Sequence, residues 1–218
     1  MNTEKLKEIV IIVLNLIPFI YLGIVYRSLP EQLPMQWGLD GEVSRMGEKR
    51  ELWILPILLC GLTYILLKYL PQIDPKQQIE KMGNKLPQVR LWLTIFMSTL
   101  ATGFIYTSTL QTHQITEPTW IFSVIGLKYI VLGNYMPSMK PNYFVGIRTP
   151  WTLENEKVWR KTHQLGGWSF MLCGLIIVVC GLLFDSYISS ITLLIVTLGY
   201  AIGISIYSYR LHFQLKKS

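Results

Sequence analysis

Three side chains in one short stretch are of types that do acid–base work: Arg148, Glu156 and His163, in the string NYFVGIRTPWTLENEKVWRKTH from Asn142 to His163. A guanidinium can neutralise a developing negative charge, an imidazole can carry a proton, and a carboxylate can hold that imidazole in one tautomer. The companions that such a trio needs are missing, since the sequence has no HExxH pair, no glycine-rich phosphate loop and no nucleophile elbow. The other two histidines, His113 and His212, fall in a different loop and in the tail. His163 is therefore expected to serve structure or partner contact. No catalytic residue, metal site or cofactor is expected, and a membrane enzyme working through Arg148 and His163 stands as the alternative.

The local pattern says how these residues would be held. Gly146 permits unusual dihedrals and Thr149, before Pro150, must be extended, so GIRTPW reads as a turn. Thr152 is the expected N-cap of a helix running on through Gln164, with Glu154 and Glu156 in its favourable first turn. On that helix Glu156, Trp159 and His163 share a stripe at offsets of three and four, while Lys157, Arg160 and Lys161 point elsewhere. One face suits docking onto other helices, and the basic face suits anionic headgroups.

The rest of the chain says what surrounds the string. Of 218 residues, 51% are apolar and 15% charged, which takes the protein outside the usual soluble range. Six apolar runs, Ile9–Tyr26, Leu52–Tyr69, Leu91–Leu110, Trp120–Met136, Trp168–Phe184 and Tyr187–Tyr207, each approach the roughly 20 residues that a helix needs to cross a bilayer. Backbone groups left unpaired in lipid are costly, so the runs are expected to be helices and the fold an all-α polytopic membrane protein. The first run follows Lys5 and Lys7 without a small-residue cleavage site, and is expected to remain as a span. Lysines and arginines crowd the N-terminus, the second and fourth loops and the tail, and are sparse in the alternate set, where Arg27, Arg45, Lys49 and Arg50 fall. The positive-inside rule then puts both termini and the Asn142–His163 string in the cytoplasm. The net charge of +7 is spread over loops beside spans, with no nucleic-acid motif, so a bilayer and not nucleic acid is the expected partner.

Two halves are expected: residues 1–117, with an extracytoplasmic loop over 27–51, and residues 118–218, with a cytoplasmic loop over 137–167. In the outer loop Pro30 and Pro34 exclude a continuous helix, Asp40-Gly41 is a turn signal and Trp37 suits the membrane interface. In the second loop, IDPKQQIEKMGN reads as a short interfacial helix that Asp74 caps. Gly167, Gly174 and Gly181 recur every seven residues, as do Gly126 and Gly133, and Gly199 pairs with Gly203; such stripes suit close helix packing within the molecule. Cys60, Cys173 and Cys180 fall inside spans and are expected to act as small apolar residues. Lys128 is the one charge well inside a span. It is expected to snorkel, to pair with Asp185 or Glu117, or to line a polar cavity, and a transporter built around it is a further alternative.

The string GNYMPSMKPNYFVGIRTPWTLENEKVWRKTHQLGG, Gly133–Gly167, resembles the signature of the SdpI family of bacterial multi-pass membrane proteins. LPMQWGLDGEVSRMGEK, Leu33–Lys49, resembles the extracytoplasmic domain of unknown function that accompanies it, although Gln36, Gly38 and Ser44 stand where many relatives have His, Asn and Asp. The resemblance covers essentially the whole chain. It implies a cell-membrane immunity protein against a secreted killing peptide, which also holds a transcriptional repressor at the membrane. Carried across, Asn134, Pro137, Asn142, Gly146, Arg148, Thr149, Pro150, Trp151, Trp159 and His163 are candidates for contact with the repressor. Pro34, Gln36, Trp37, Gly41 and Lys49 belong to the outer loop that would meet the peptide.

Overall fold

The computed structural model describes residues 3–73, 85–110, 118–143 and 145–217. The second-loop helix expected at Asp74, together with Glu117 and His113, lies outside them. The chain forms helix α1 (Thr3–Val25), a hairpin of β1 (Gln32–Trp37) and β2 (Val43–Glu48), then α2 (Thr63–Ile73), α3 (Lys85–Leu110), α4 (Trp120–Tyr135), α5 (Pro150–Glu154), α6 (Glu156–Leu183) and α7 (Ser186–Lys217). The helical bundle is all-α as expected, and the hairpin is an addition to it.

Among the described residues, five segments are long and apolar enough to cross a membrane: Lys5–Val25, Lys49–Tyr69, Pro87–Leu110, Glu156–Leu183 and Ser186–Lys216. The remaining expected span, Trp120–Met136, is helical for 16 residues. At 1.5 Å per residue that is about 24 Å, shorter than a typical hydrocarbon core of about 30 Å. Large apolar side chains stay outside the protein, among them Ile24, Leu182, Leu183 and Trp168 at 68–74% exposure, as a lipid-facing surface requires.

Prolines shape the first half. Pro18 lies inside α1 and has no N–H for the carbonyl of Leu14, four residues back. That carbonyl accepts a 2.7 Å hydrogen bond from Ser98 Oγ of α3 instead, so the defect becomes an interhelical tie. Pro56 opens a π-helical stretch, Pro56–Leu62, before α geometry resumes in α2. At one end of these helices Glu8 of α1 accepts from Tyr64 Oη at 2.9 Å and pairs with Arg90 of α3 at 3.2 Å.

The hairpin is antiparallel, pairing Gln32 with Glu48 and Trp37 with Val43, with register shifts between Pro34 and Gln36 and between Gln36 and Trp37. Pro34 is tolerated because it lies on an edge strand, β1, beside the first of these shifts. The Asp40-Gly41 turn is as expected: Gly41 has φ +81° and Asp40 Oδ1 accepts from Glu42 N–H. A buried cluster of Leu22, Leu29, Leu33, Leu52 and Ile105 fixes the hairpin to α1 and α3. Trp37 meets Phe104 of α3 edge-on at 5.2 Å, so it packs against the bundle, and Lys49 pairs with Glu31 at 2.8 Å while lying over the Tyr26 ring.

In the second half the seven-residue glycine spacing becomes a ladder between antiparallel α4 and α6. A Cβ on Gly133 would stand 2.7 Å from the Gly167 carbonyl and one on Gly167 would stand 2.6 Å from that of Gly133. Gly126 and Gly174 oppose each other in the same way, at 2.6 and 2.5 Å. Such approach suits Cα–H···O contacts and excludes any larger residue. Gly199 and Gly203 depart from the expectation, because nothing lies within 4 Å of where their Cβ atoms would be. The first group of helices meets this second group along α3 and α4.

Candidate functional site: the loop between α4 and α6

The motif string folds as a capped plug over one end of α6. The chain leaves α4 through a tight 3-10 turn, Met136–Ser138, whose Pro137 ring lies against Gly167. Asn142 is wholly buried, and its side chain makes the next turn, donating to the Lys140 carbonyl at 2.9 Å and accepting from Val145 N–H at 2.7 Å. Gly146 follows at φ +114°, a conformation that favours glycine. A Cβ there would also stand 2.3 Å from His163 Nε2.

His163 is the pin on which this loop turns. It is buried to 0% exposure, and Nε2 accepts a 3.0 Å hydrogen bond from Ile147 N–H. An acceptor nitrogen carries no proton, so Nδ1 is the donor, and it lies 2.9 Å from the Trp159 carbonyl. Both ring nitrogens of a neutral imidazole are thereby used. The ring stacks on Trp159 at 3.9 Å with the planes 18° apart, and Trp159 Nε1 donates to the Met139 carbonyl at 2.9 Å. The stripe inferred at offset four thus exists for Trp159 and His163, while Glu156 is exposed and does not touch the imidazole. The acid–base trio is not assembled.

The expected helix start is corrected. Thr149, extended at φ −107° and ψ 158°, caps α5 and exchanges hydrogen bonds with Thr152, with Pro150 at the first helical position. Thr152 is inside that turn and wholly buried, its hydroxyl 2.9 Å from the Ile147 carbonyl. Asn155 breaks the chain and caps a second helix, its Oδ1 accepting from Lys157 and Val158 N–H. That helix is α6, which continues without interruption through Gly166-Gly167 into the apolar span, so the expected loop helix and fifth span are one element. Trp151 Nε1 donates to Ser208 Oγ at 2.7 Å and its ring meets Tyr209 edge-on, which ties the plug to α7.

Burial therefore divides the motif. Asn142, Thr152, Trp159 and His163 build the plug, and Thr149, Pro150 and Trp151 brace it. Asn134, Tyr143, Arg148, Lys157, Arg160 and Lys161 are exposed, and Arg148 is held by its hydrogen bond to the Tyr143 carbonyl. Sequence reasoning passed over Asn155 and Met139. Asn155 carries the usual capping signal ahead of an acidic residue, whereas nothing in a sequence marks the Met139 carbonyl as the indole's acceptor.

These features define a polytopic helical membrane protein in which a glycine ladder joins two helices and the loop between them is locked by side-chain hydrogen bonds. The model of the SdpI/YfhL protein family matches residues 138–208, and that of a domain of unknown function, DUF1648, matches residues 13–60. The chain is similar to "Immunity protein SdpI" of Bacillus subtilis (strain 168), at 27% identity over 212 residues that cover 97% of this chain and 99% of the relative. No solved structure matches this chain.

Proposed function

We propose that the protein is a cell-membrane immunity protein that protects its bacterium from a secreted killing peptide and signals the peptide's presence to a cytoplasmic repressor. The observation that carries this reading is the end-to-end similarity to an immunity protein, with the two matched regions falling on the outer hairpin's half and on the motif loop. In this reading α4 completes a sixth crossing, both termini are cytoplasmic, the hairpin faces outward and the plug faces inward. The fixed conformation of the plug supports a recognition role, because a rigid loop presents Arg148, Arg160 and their neighbours without an ordering cost on binding. Direct repressor contact falls to those exposed cations, and the buried Trp159 and His163 act by positioning them. No catalytic step is part of the reading.

The test is survival of a peptide-sensitive bacterium that expresses the full chain, with its presence in the membrane verified. Protection against the killing peptide is expected; killing at the same dose as cells without the protein would overturn the proposal.

A further inference from the structure

Lys128 lies at the ninth of the 16 positions in α4, about 12 Å from one end of the helix and about 10 Å from the other. It is half-buried, and among the described residues no carboxylate pairs with it. Of the two partners that the sequence suggested, Asp185 instead accepts from Ile188 N–H at the start of α7. The ammonium lies near two rings, 4.9 Å from the centroid of Phe96 and 5.3 Å from that of Tyr129. It lines an apolar groove of about 230 Å³ between α3 and α4, whose walls include Trp92, Phe96, Thr99, Leu127 and Val131. Trp92 and Leu127 are themselves exposed at 40% and 54%, so the groove opens on the lipid-facing side.

We infer that this groove is a docking site for a membrane-embedded segment of another protein or peptide that carries one carboxylate at mid-depth. Ring faces attract a cation without neutralising it, so an ammonium at Lys128, with no carboxylate partner among the described residues, is one that an acid inside the bilayer would complement. The depth selects the partner. A lipid phosphate would have to be drawn about 10 Å inward from the helix end, whereas a carboxylate on a spanning segment is already at that level. The described residues of a second copy of this chain do not supply it. Among the described residues its acids lie in the loops or near helix starts, and Glu8 is taken by Arg90 and Tyr64. The inference rests on α4 crossing the membrane, which labelling of the flanking loops tests separately.

The experiment uses the full chain in zwitterionic nanodiscs and a fluorescent synthetic spanning peptide of leucine and alanine with a single central Asp, compared with the same peptide carrying Asn or Lys. The wild type should bind the Asp peptide roughly tenfold more tightly than the Asn peptide. Lys128→Met should abolish that preference, and Lys128→Glu should transfer it to the Lys peptide, which a misfolded variant would not do. Equal binding of Asp and Asn peptides by the wild type, or a preference that survives in Lys128→Met, would overturn the inference. Loss of the preference when phosphatidylglycerol is added would overturn it in favour of a lipid phosphate at Lys128.

Discussion

Replacing His163 with Phe keeps a planar ring of similar size against Trp159 and removes one acceptor, the Nε2 that holds Ile147 N–H at 3.0 Å. The Trp159 carbonyl also loses the Nδ1 donor, but it remains within a helix whose own ladder serves it. Ile147 N–H has no such reserve, because Gly146 and Ile147 lie in irregular backbone. An orphaned donor costs up to about 1–3 kcal/mol when it is shielded from water, and this one is part-buried. At about 1.4 kcal/mol per factor of ten, the loop should open up to roughly 5- to 150-fold more often. Hydrogen–deuterium exchange of the full chain in nanodiscs reads this directly, in peptides covering 142–149. His163→Phe should accelerate exchange there by that factor and leave the middle of α7 unchanged. Unaltered exchange over 142–149 would refute the reasoning, since it would mean that the imidazole does not hold the loop.

Two further outcomes follow from the helix contacts. Gly174→Val places its side chain into the Gly126 carbonyl, from which an added Cβ would stand only 2.5 Å, and should separate α4 from α6; a cysteine pair engineered across these helices should then crosslink poorly. Gly203→Val, which meets open space, should leave that crosslink intact. Ser98→Ala removes the only side-chain donor described for the Leu14 carbonyl opposite Pro18, and should lower stability to detergent denaturation by about 0.6–2 kcal/mol, followed by circular dichroism. In a Pro18→Ala background the same change should cost less, because an alanine at that position restores a backbone donor, and equal costs in the two backgrounds would contradict the compensation.

The glycine ladder was legible because a missing Cβ marks backbone approach, and the seven-residue spacing keeps such positions on one face. The same logic misled at Gly199 and Gly203, since spacing does not say whether a stripe faces protein or lipid. The Trp159–His163 stripe was legible from an offset of four, but its meaning was not. The groups that satisfy it, Ile147 N–H and the Met139 carbonyl, come from 16 and 20 residues earlier and are brought there only by the fold. Thr152 was taken for the cap because acids follow it, yet Pro150 suits the first helical position and so makes Thr149 the cap. The hairpin gave one firm signal, Asp40-Gly41, and its strands carry Pro34 and too little alternation to declare themselves. Ser98 reads as an ordinary small residue until Pro18 is seen to leave a carbonyl opposite it.

Peptide sensing outside and signalling inside require the hairpin and the plug to face opposite sides of the membrane. The direct measurement is thiol labelling in intact cells with a membrane-impermeant maleimide, using Asp40→Cys and Arg148→Cys in a chain whose Cys60, Cys173 and Cys180 are replaced by Ala. Both positions are exposed. Labelling of the residue-40 variant in intact cells, with the residue-148 variant labelled only after lysis, is the predicted result. Labelling of both variants in intact cells, or of the residue-148 variant alone, would contradict the account.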